Sequence, residues 1–336
     1  MADMTVGIIG AGRIGQLHAE YIMSMSSIEL KGICDIEIDH LKGSMMEKHV
    51  PVITTDPSIL IEDEEMDAIF ICSSTDTHCY YIEKCAQAGK HIFCEKPISF
   101  SLKETKAALR KVKEAGVHLQ IGFNRRFDTH FSKVYEAVSA GKIGRPHIIK
   151  ITSRDPEPPS EAYIQSSGGM FIDMTIHDFD MIRYLSSNEV ESVSVVAANL
   201  VDPCFQKYDD VDTAIITLTF KDGSIGVIDN SRRAVYGYDQ RIEVFGEKGV
   251  VMADNERESN VQIATKESVT LDHPKYFFLD RYKQAFYREI QAFRRAIIDQ
   301  TPVSCTGEDG LEAQRLAIAA RLAWKENRTV LLSEIE

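Results

Sequence analysis

Thr5-Val6-Gly7-Ile8-Ile9 runs without a spacer into Gly10-Ala11-Gly12-Arg13-Ile14-Gly15, an apolar strand followed by G-x-G-x-x-G and an amphipathic stretch opening at Ile14. That order is what a dinucleotide-binding turn requires. Gly10 makes the tight turn, Gly12 lets the backbone approach a pyrophosphate, and Gly15 lets helix and strand pack closely. The helix that starts there points unpaired N–H groups and its positive end at the phosphates. Glycine alone is weak evidence, since every turn uses it. The discriminating residue lies about twenty positions on. Glu29-Leu30-Lys31-Gly32-Ile33-Cys34 reads as a second strand ending at Asp35, whose carboxylate accepts both ribose hydroxyls of an adenosine and repels a 2′-phosphate. Ile36 supplies no cation, so Asp35 favours NAD over NADP; the competing reading is an ordinary strand-end turn former.

Outward from this unit the pattern repeats. Ile14, Leu17, Tyr21 and Met25 recur at helical spacing, and residues 38–49 read as a second helix. Pro51-Val52-Ile53-Thr54 is a short strand, and residues 66–72 are a mostly apolar one that suits a sheet buried on both faces. Ser73-Ser74-Thr75 follows it, then a helix from Thr77 to Ala88 stopped by Gly89. His91-Ile92-Phe93-Cys94, a helix over residues 101–115 stopped by Gly116, and His118-Leu119-Gln120-Ile121 complete the series. Strands alternating with helices describe a doubly wound parallel sheet, whose ligands bind beyond the carboxyl ends of the strands. The glycine turn, Asp35, Ser73, Ser74, Thr75, Lys96 and Asn124 all fall at such ends. Lys96 sits in Glu95-Lys96-Pro97, where a cation can hold a substrate hydroxyl and favour its alkoxide, or can simply be solvated or paired with Glu95.

Residues 1–122 are thus read as a Rossmann domain and 123–336 as a second α/β domain, with a C-terminal helix free to pack back on the first. Gly122-Phe123-Asn124-Arg125-Arg126-Phe127 marks the boundary, and Ser153 through Ser160, with three prolines, reads as a loop. From Met170 to Leu185 the apolar spacing fits one helix, which places Asp173, His177 and Asp180 along nearly one side. A carboxylate one turn from an imidazole suits proton transfer near neutral pH. Surface decoration and metal ligation are the alternatives, although Asp178 points elsewhere and no second histidine is near. Six strand-like stretches between residues 190 and 264 then alternate polar and apolar residues, a large, mostly antiparallel sheet with one face left for solvent or a partner subunit. Tyr236 and Tyr238 would project the same way from an extended stretch and line a polyol site, or serve core or interface. Helices over residues 280–299 and 309–326 close the chain, with Thr306 and Asp309 as a capping box.

Composition narrows the function classes. A net charge of −13 argues against a nucleic-acid groove, which needs cations for phosphates. No run approaches the length of a membrane span, and the N-terminus lacks the basic and apolar regions of a signal peptide. Seven cysteines without a C-x-x-C pair suggest neither disulfide framework nor zinc site, and a reducing cytoplasm is the expected home.

Together, Gly10–Gly15, Cys94-Glu95-Lys96-Pro97, residues 122–127 and Gly168-Gly169-Met170-Phe171-Ile172-Asp173-Met174-Thr175-Ile176-His177-Asp178 resemble the glucose–fructose oxidoreductase/inositol dehydrogenase/MocA family, and within it the inositol 2-dehydrogenase branch. The resemblance covers nearly the whole chain. It implies a Rossmann domain, a C-terminal domain whose open sheet builds homodimers or homotetramers, and NAD-dependent oxidation of a cyclic polyol, with a keto-sugar as the partner in reverse. Myo-inositol, oxidised to its 2-keto form, is the first expectation; scyllo-inositol, glucose or a related sugar is the alternative, and a non-catalytic NAD sensor the rival from another class. It also implies Lys96, Asp173 and His177 as catalytic residues, with His177 the acid/base and no metal. The cofactor set adds Arg13, Ile14, His78 and Glu95 to the strand-end residues. Asn124, Arg125, Asp155, Asp180, Tyr236 and Tyr238 are the expected rim of the substrate site.

Overall fold

The computed structural model describes residues 2–336, and the chain divides into two compact units. The first comprises residues 1–124 and 286–312. Its strands β1 (Met4–Ile9), β2 (Ile28–Cys34), β3 (Val52–Thr54), β4 (Ala68–Ile71), β5 (His91–Cys94) and β6 (Leu119–Ile121) form one parallel sheet in the order β3-β2-β1-β4-β5-β6. Helices α1 (Arg13–Met23), α2 (Met45–His49), α3 (Ser58–Ile61), α4 (Thr75–Gln87) and α5 (Leu102–Ala115) connect them. β1 and β4 are neighbours although two strands intervene in sequence, so the winding reverses there. That reversal is where ligands bind in such sheets. Every residue of β4 is buried, as its unbroken apolar run requires.

One expectation for this unit fails. Residues 38–49 are not one helix but a short 3-10 turn (Asp39–Leu41) followed by α2. Gly43 between them takes φ +75°, and Ser44 starts α2 afresh by accepting from the Glu47 N–H. Local capping defeats the longer apolar period.

The second unit, residues 125–285 and 313–336, is built on a mixed sheet. It contains α6 (Thr129–Ser139), β7 (Pro146–Arg154), α7 (Glu161–Ser166), α8 (Met170–Asp173), α9 (Ile176–Ser186), β8 (Val190–Ala198), α10 (Cys204–Lys207), β9 (Thr213–Phe220), β10 (Ile225–Ser231), β11 (Asp239–Gly246), β12 (Gly249–Ala253), the small hairpin β13 (Gln262–Ala264) and β14 (Val269–Leu271), and α11 (Phe278–Arg281). Helices α12 (Lys283–Ile298) and α13 (Gly307–Glu326) and strand β15 (Val330–Leu331) end the chain. The sheet order is β12-β11-β7-β10-β9-β8-β15, antiparallel except between β7 and β10. Along β9, Ala214, Ile216, Leu218 and Phe220 are buried, and Ile215 faces outward with Ile148, Val196, Ile225 and Phe245 as exposed apolar side chains. The capping box at Thr306 and Asp309 forms as the sequence suggests. Among the described residues no helix is long and apolar enough to cross a membrane.

Three sequence readings are corrected here. Residues 153–160 are not all loop, because Ser153 and Arg154 complete β7, paired with Asn230 and Ser231 on one side and Gln240 and Asp239 on the other. Residues 235–236 form a turn, so Tyr236 and Tyr238 do not project alike: the first is exposed and the second buried. Residues 170–185 are two helices, with Met174 and Thr175 between them. Thr175 N bonds back to the Met170 carbonyl, and its hydroxyl donates to Asn230 Oδ1 at 2.6 Å. The β-sheet thus holds the junction where apolar spacing alone reads through.

Candidate active site

In the first unit the glycine turn is shaped by what surrounds it. Gly10 takes φ +97°, and a Cβ there would stand 2.4 Å from the Ser73 nitrogen. A Cβ on Gly15 would meet the Gly10 carbonyl oxygen, so helix and turn touch directly. At Gly12 nothing lies within 4 Å of that position, leaving the backbone open to an incoming group. Gly12, at the N-cap of α1, offers no capping side chain, and the N-terminal end of a helix favours an anion. Asp35 Oδ2 accepts from Ala11 N at 2.5 Å and Oδ1 from Glu37 N at 3.0 Å, tying the end of β2 to the turn while leaving lone pairs for hydroxyl donors. These features fit the adenosine and pyrophosphate of NAD.

Ser73, Ser74 and Thr75 lead into α4, where the Ser73 and Thr77 hydroxyls lie 2.7 Å apart. His78 is buried, with Nδ1 2.8 Å from the Pro97 carbonyl and Nε2 3.0 Å from that of Ser73. A neutral ring donates to one of the two, and burial holds its pKa below the usual histidine value. The ring braces the β4 and β5 turns against each other. Lys96 precedes a cis peptide bond to Pro97, and Glu95 contacts His18 Nε2 at 2.8 Å.

In the second unit the sequence-expected residues sort into two groups. Asp173 and Asp155 converge on Arg232, whose Nη2 donates to Asp173 Oδ2 at 2.9 Å and whose Nη1 donates to Asp155 Oδ2 at 3.1 Å. Tyr163 donates to the other Asp173 oxygen at 2.8 Å. Both oxygens of Asp173 therefore meet donors, which suits an ionised, orienting carboxylate rather than a proton acceptor. Burial raises the Asp155 pKa, with Arg232 working against it. His177 lies in the first turn of α9, just beyond the junction.

The other group is deeply buried except for Tyr236. Arg125 donates to Asp178 Oδ1 at 2.5 Å and to Ser153 Oγ at 3.2 Å, while Asn230 Nδ2 donates to Asp178 Oδ2 at 2.9 Å. Asp180 is 1% exposed and takes two bonds from Arg126, at 2.5 and 2.8 Å. Tyr236 donates to Asp239 and accepts from Arg154, and the Tyr238 ring stands edge-on to Tyr282 at 5.9 Å. Asn124 is buried in the turn after β6. Arg232, Tyr163 and Asn230 were not singled out by sequence reasoning. Their partners lie 59, 10 and 52 residues away, too far for local spacing to show the pairing.

Asp173, His177 and Asp178 do not assemble as a metal-ligand set. Among the described residues only His18, Glu95 and Glu289 bring three ligand-type atoms within 4.8 Å of one another.

Known proteins resemble this chain over nearly its whole length. The family model described as "Oxidoreductase family, NAD-binding Rossmann fold" matches residues 4–123, and that described as "GFO/IDH/MocA C-terminal domain" matches residues 131–252. The chain is 52% identical over 319 residues to Uncharacterized oxidoreductase YrbE of Bacillus subtilis (strain 168), covering 95% of this chain and 94% of that protein. It is 47% identical over 332 residues to the Myo-inositol 2-dehydrogenase of Thermotoga maritima, covering 99% of each. The crystal structure of scyllo-inositol dehydrogenase from Lactobacillus casei with bound cofactor NAD(H) and scyllo-inositol superposes with a TM-score of 0.90 at 29% identity, over 98% of this chain and 99% of that one.

Proposed function

The chain belongs to the GFO/IDH/MocA oxidoreductase family as an NAD-dependent dehydrogenase acting on CH–OH groups, and from that premise we propose that it oxidises myo-inositol to 2-keto-myo-inositol. The observation that carries the substrate is the 47% identity, over 99% of each chain, to the Thermotoga maritima myo-inositol 2-dehydrogenase.

When bound, NAD supplies the acceptor for the hydrogen leaving the substrate carbon. The chain's own residues manage the rest. His177 takes the hydroxyl proton, and Lys96 holds the same oxygen and stabilises its developing charge. Asp173, kept ionised by Arg232, orients the substrate and the histidine. Asp155, which shares that arginine, receives a second hydroxyl. Asn124, Arg125, Asp180, Tyr236 and Tyr238 support the substrate pocket, Arg125 and Asp180 through the buried pairs described above. On the cofactor side Gly10, Gly12, Arg13, Ile14, Gly15, Asp35, Ser73, Ser74, Thr75 and Glu95 form the cradle, and His78 braces it. The protein works in the cytoplasm, where its cysteines, none of them in a disulfide among the described residues, stay reduced. It assembles as a homotetramer or homodimer through the exposed face of the mixed sheet.

The test is purified protein with a panel of inositols and sugars, with NAD and NADP in parallel, followed by absorbance of the reduced cofactor. The highest kcat/KM is expected for myo-inositol with NAD. Failure to reduce the cofactor with any polyol would sink the reading. A preference for scyllo-inositol is the second outcome to watch, since the Lactobacillus casei structure holds that isomer.

A further inference from the structure

Behind the turn that carries Lys96, the first unit gathers three ionisable side chains, of which Glu95 belongs to the cofactor cradle and His18 and Glu289 have no part in the reaction as described. Glu289 on α12 is fully buried, and neither of its carboxylate oxygens has a hydrogen-bond partner. His18 on α1 is equally buried, with Nε2 2.8 Å from Glu95 Oε1 and Nδ1 lacking a partner. One polar atom from each of His18, Glu95 and Glu289 lies within 4.8 Å of the other two. The surroundings are dry: Phe93 and Phe286 stand edge-on to the His18 ring at 5.0 and 6.0 Å. Gln120 Nε2 donates to the Glu289 carbonyl at 3.1 Å, so β6 fixes the backbone of this residue as well.

Two carboxylates this close in an apolar pocket do not both ionise. Glu95 is hydrogen-bonded to His18 and reaches solvent in part, whereas the Glu289 oxygens are fully buried and accept no hydrogen bond. The groups that face it are His18 from α1, Glu95 after β5 and the Cys72 thiol after β4, which burial keeps neutral. Burial, and then the charge of Glu95, hold the Glu289 carboxyl well above the usual range. A proton on Glu289 turns it into a donor and satisfies an acceptor in the trio. A tetrahedral metal ion fits poorly, because ligands about 2.1 Å from it stand about 3.4 Å apart, wider than the 2.8 Å between His18 Nε2 and Glu95 Oε1. The 2.8 Å contact is instead a hydrogen bond.

We propose that Glu289 is a positioning residue for the dehydrogenase reaction: its carboxyl donates into a closed network with His18 and Glu95, which fixes the Glu95-Lys96-Pro97 turn and so aims the Lys96 ammonium. This rests on the role given to Lys96 above. Gly122 makes room for it, since a Cβ there would stand 3.0 Å from Glu95 Oε1.

The test uses E289Q, which keeps a donor of the same shape, and E289M, which fills the space without one. In E289M kcat for myo-inositol is expected to fall about tenfold, the order of loss that follows from a misplaced catalytic group, with KM and NADH affinity unchanged. E289Q restores kcat. Infrared difference spectra, E289Q against the unsubstituted protein, are expected to show a protonated carboxylic acid band that the substitution removes. Full activity in E289M, loss in E289Q equal to that in E289M, absence of the band, or a stoichiometric metal in the purified protein would each overturn the proposal. The band and the metal content need no substrate. If no polyol is turned over, the functional reading fails while the network is still decided.

Discussion

His177 and Asp35 separate catalysis from cofactor binding, because each is expected to touch one process only. His177→Ala should lower kcat by roughly 10²-fold, the scale of positioned acid–base catalysis, while NADH affinity measured by fluorescence titration stays unchanged. Near-normal turnover would remove the histidine from the mechanism. Asp35→Ala should raise the NAD Kd by about tenfold, in line with losing a charged hydrogen bond, and isothermal titration of the cofactor reads it directly. Glu289 adds a prediction about stability. Its folded pKa lies above its unfolded value, so as pH rises past about 4.5 the unfolded chain ionises first, and the folded state loses relative stability until the folded pKa is passed. E289Q removes that dependence. Its Tm advantage over the unsubstituted protein should therefore grow from about pH 5 to about pH 8 in calorimetry, and a constant difference would mean that Glu289 is ionised in the fold.

At the scale of elements, the contact between α9 and the mixed sheet depends on a missing side chain. A Cβ on Gly226 of β10 would stand 2.6 Å from Ile182 Cδ1 and 3.1 Å from Leu218 Cδ1. Gly226→Val should cost about 1–3 kcal/mol by overpacking, read as a lower urea midpoint at unchanged slope. What could be read from sequence at this scale follows from how local each signal is. The β1–Gly10–Gly12–α1 turn and the strand ending at Asp35 were legible because strand, glycines and carboxylate all lie within one continuous stretch. The helix over 170–185 was misjudged because the bond that breaks its continuity joins Thr175 to Asn230, 55 residues away. Apolar spacing carries no trace of that partner. Arg232 stayed hidden likewise: its value lies in meeting Asp155 and Asp173, and arginine in a loop is otherwise ordinary. Position and spacing single out Lys96, Asp173 and His177 as candidates, and only the family motifs favour a catalytic role over the bland readings of a lysine after a strand and an Asp–His pair.

Across the whole molecule, the mixed sheet presents Ile148, Val196, Ile215, Ile225 and Phe245 to its exposed face, more apolar side chains together than a solvated sheet needs. Ile215→Lys placed among them should shift the species seen by light scattering from tetramer or dimer toward monomer. An unchanged mass would put the assembly surface elsewhere. In the proposed reaction the hydrogen on one carbon of an inositol ring passes to NAD. Myo-inositol carrying deuterium at C2 labels that transfer, and mass spectrometry of the reduced cofactor after turnover reads it. One deuterium in the nicotinamide ring and a slowed kcat/KM are expected; reduced cofactor free of deuterium would contradict the transfer.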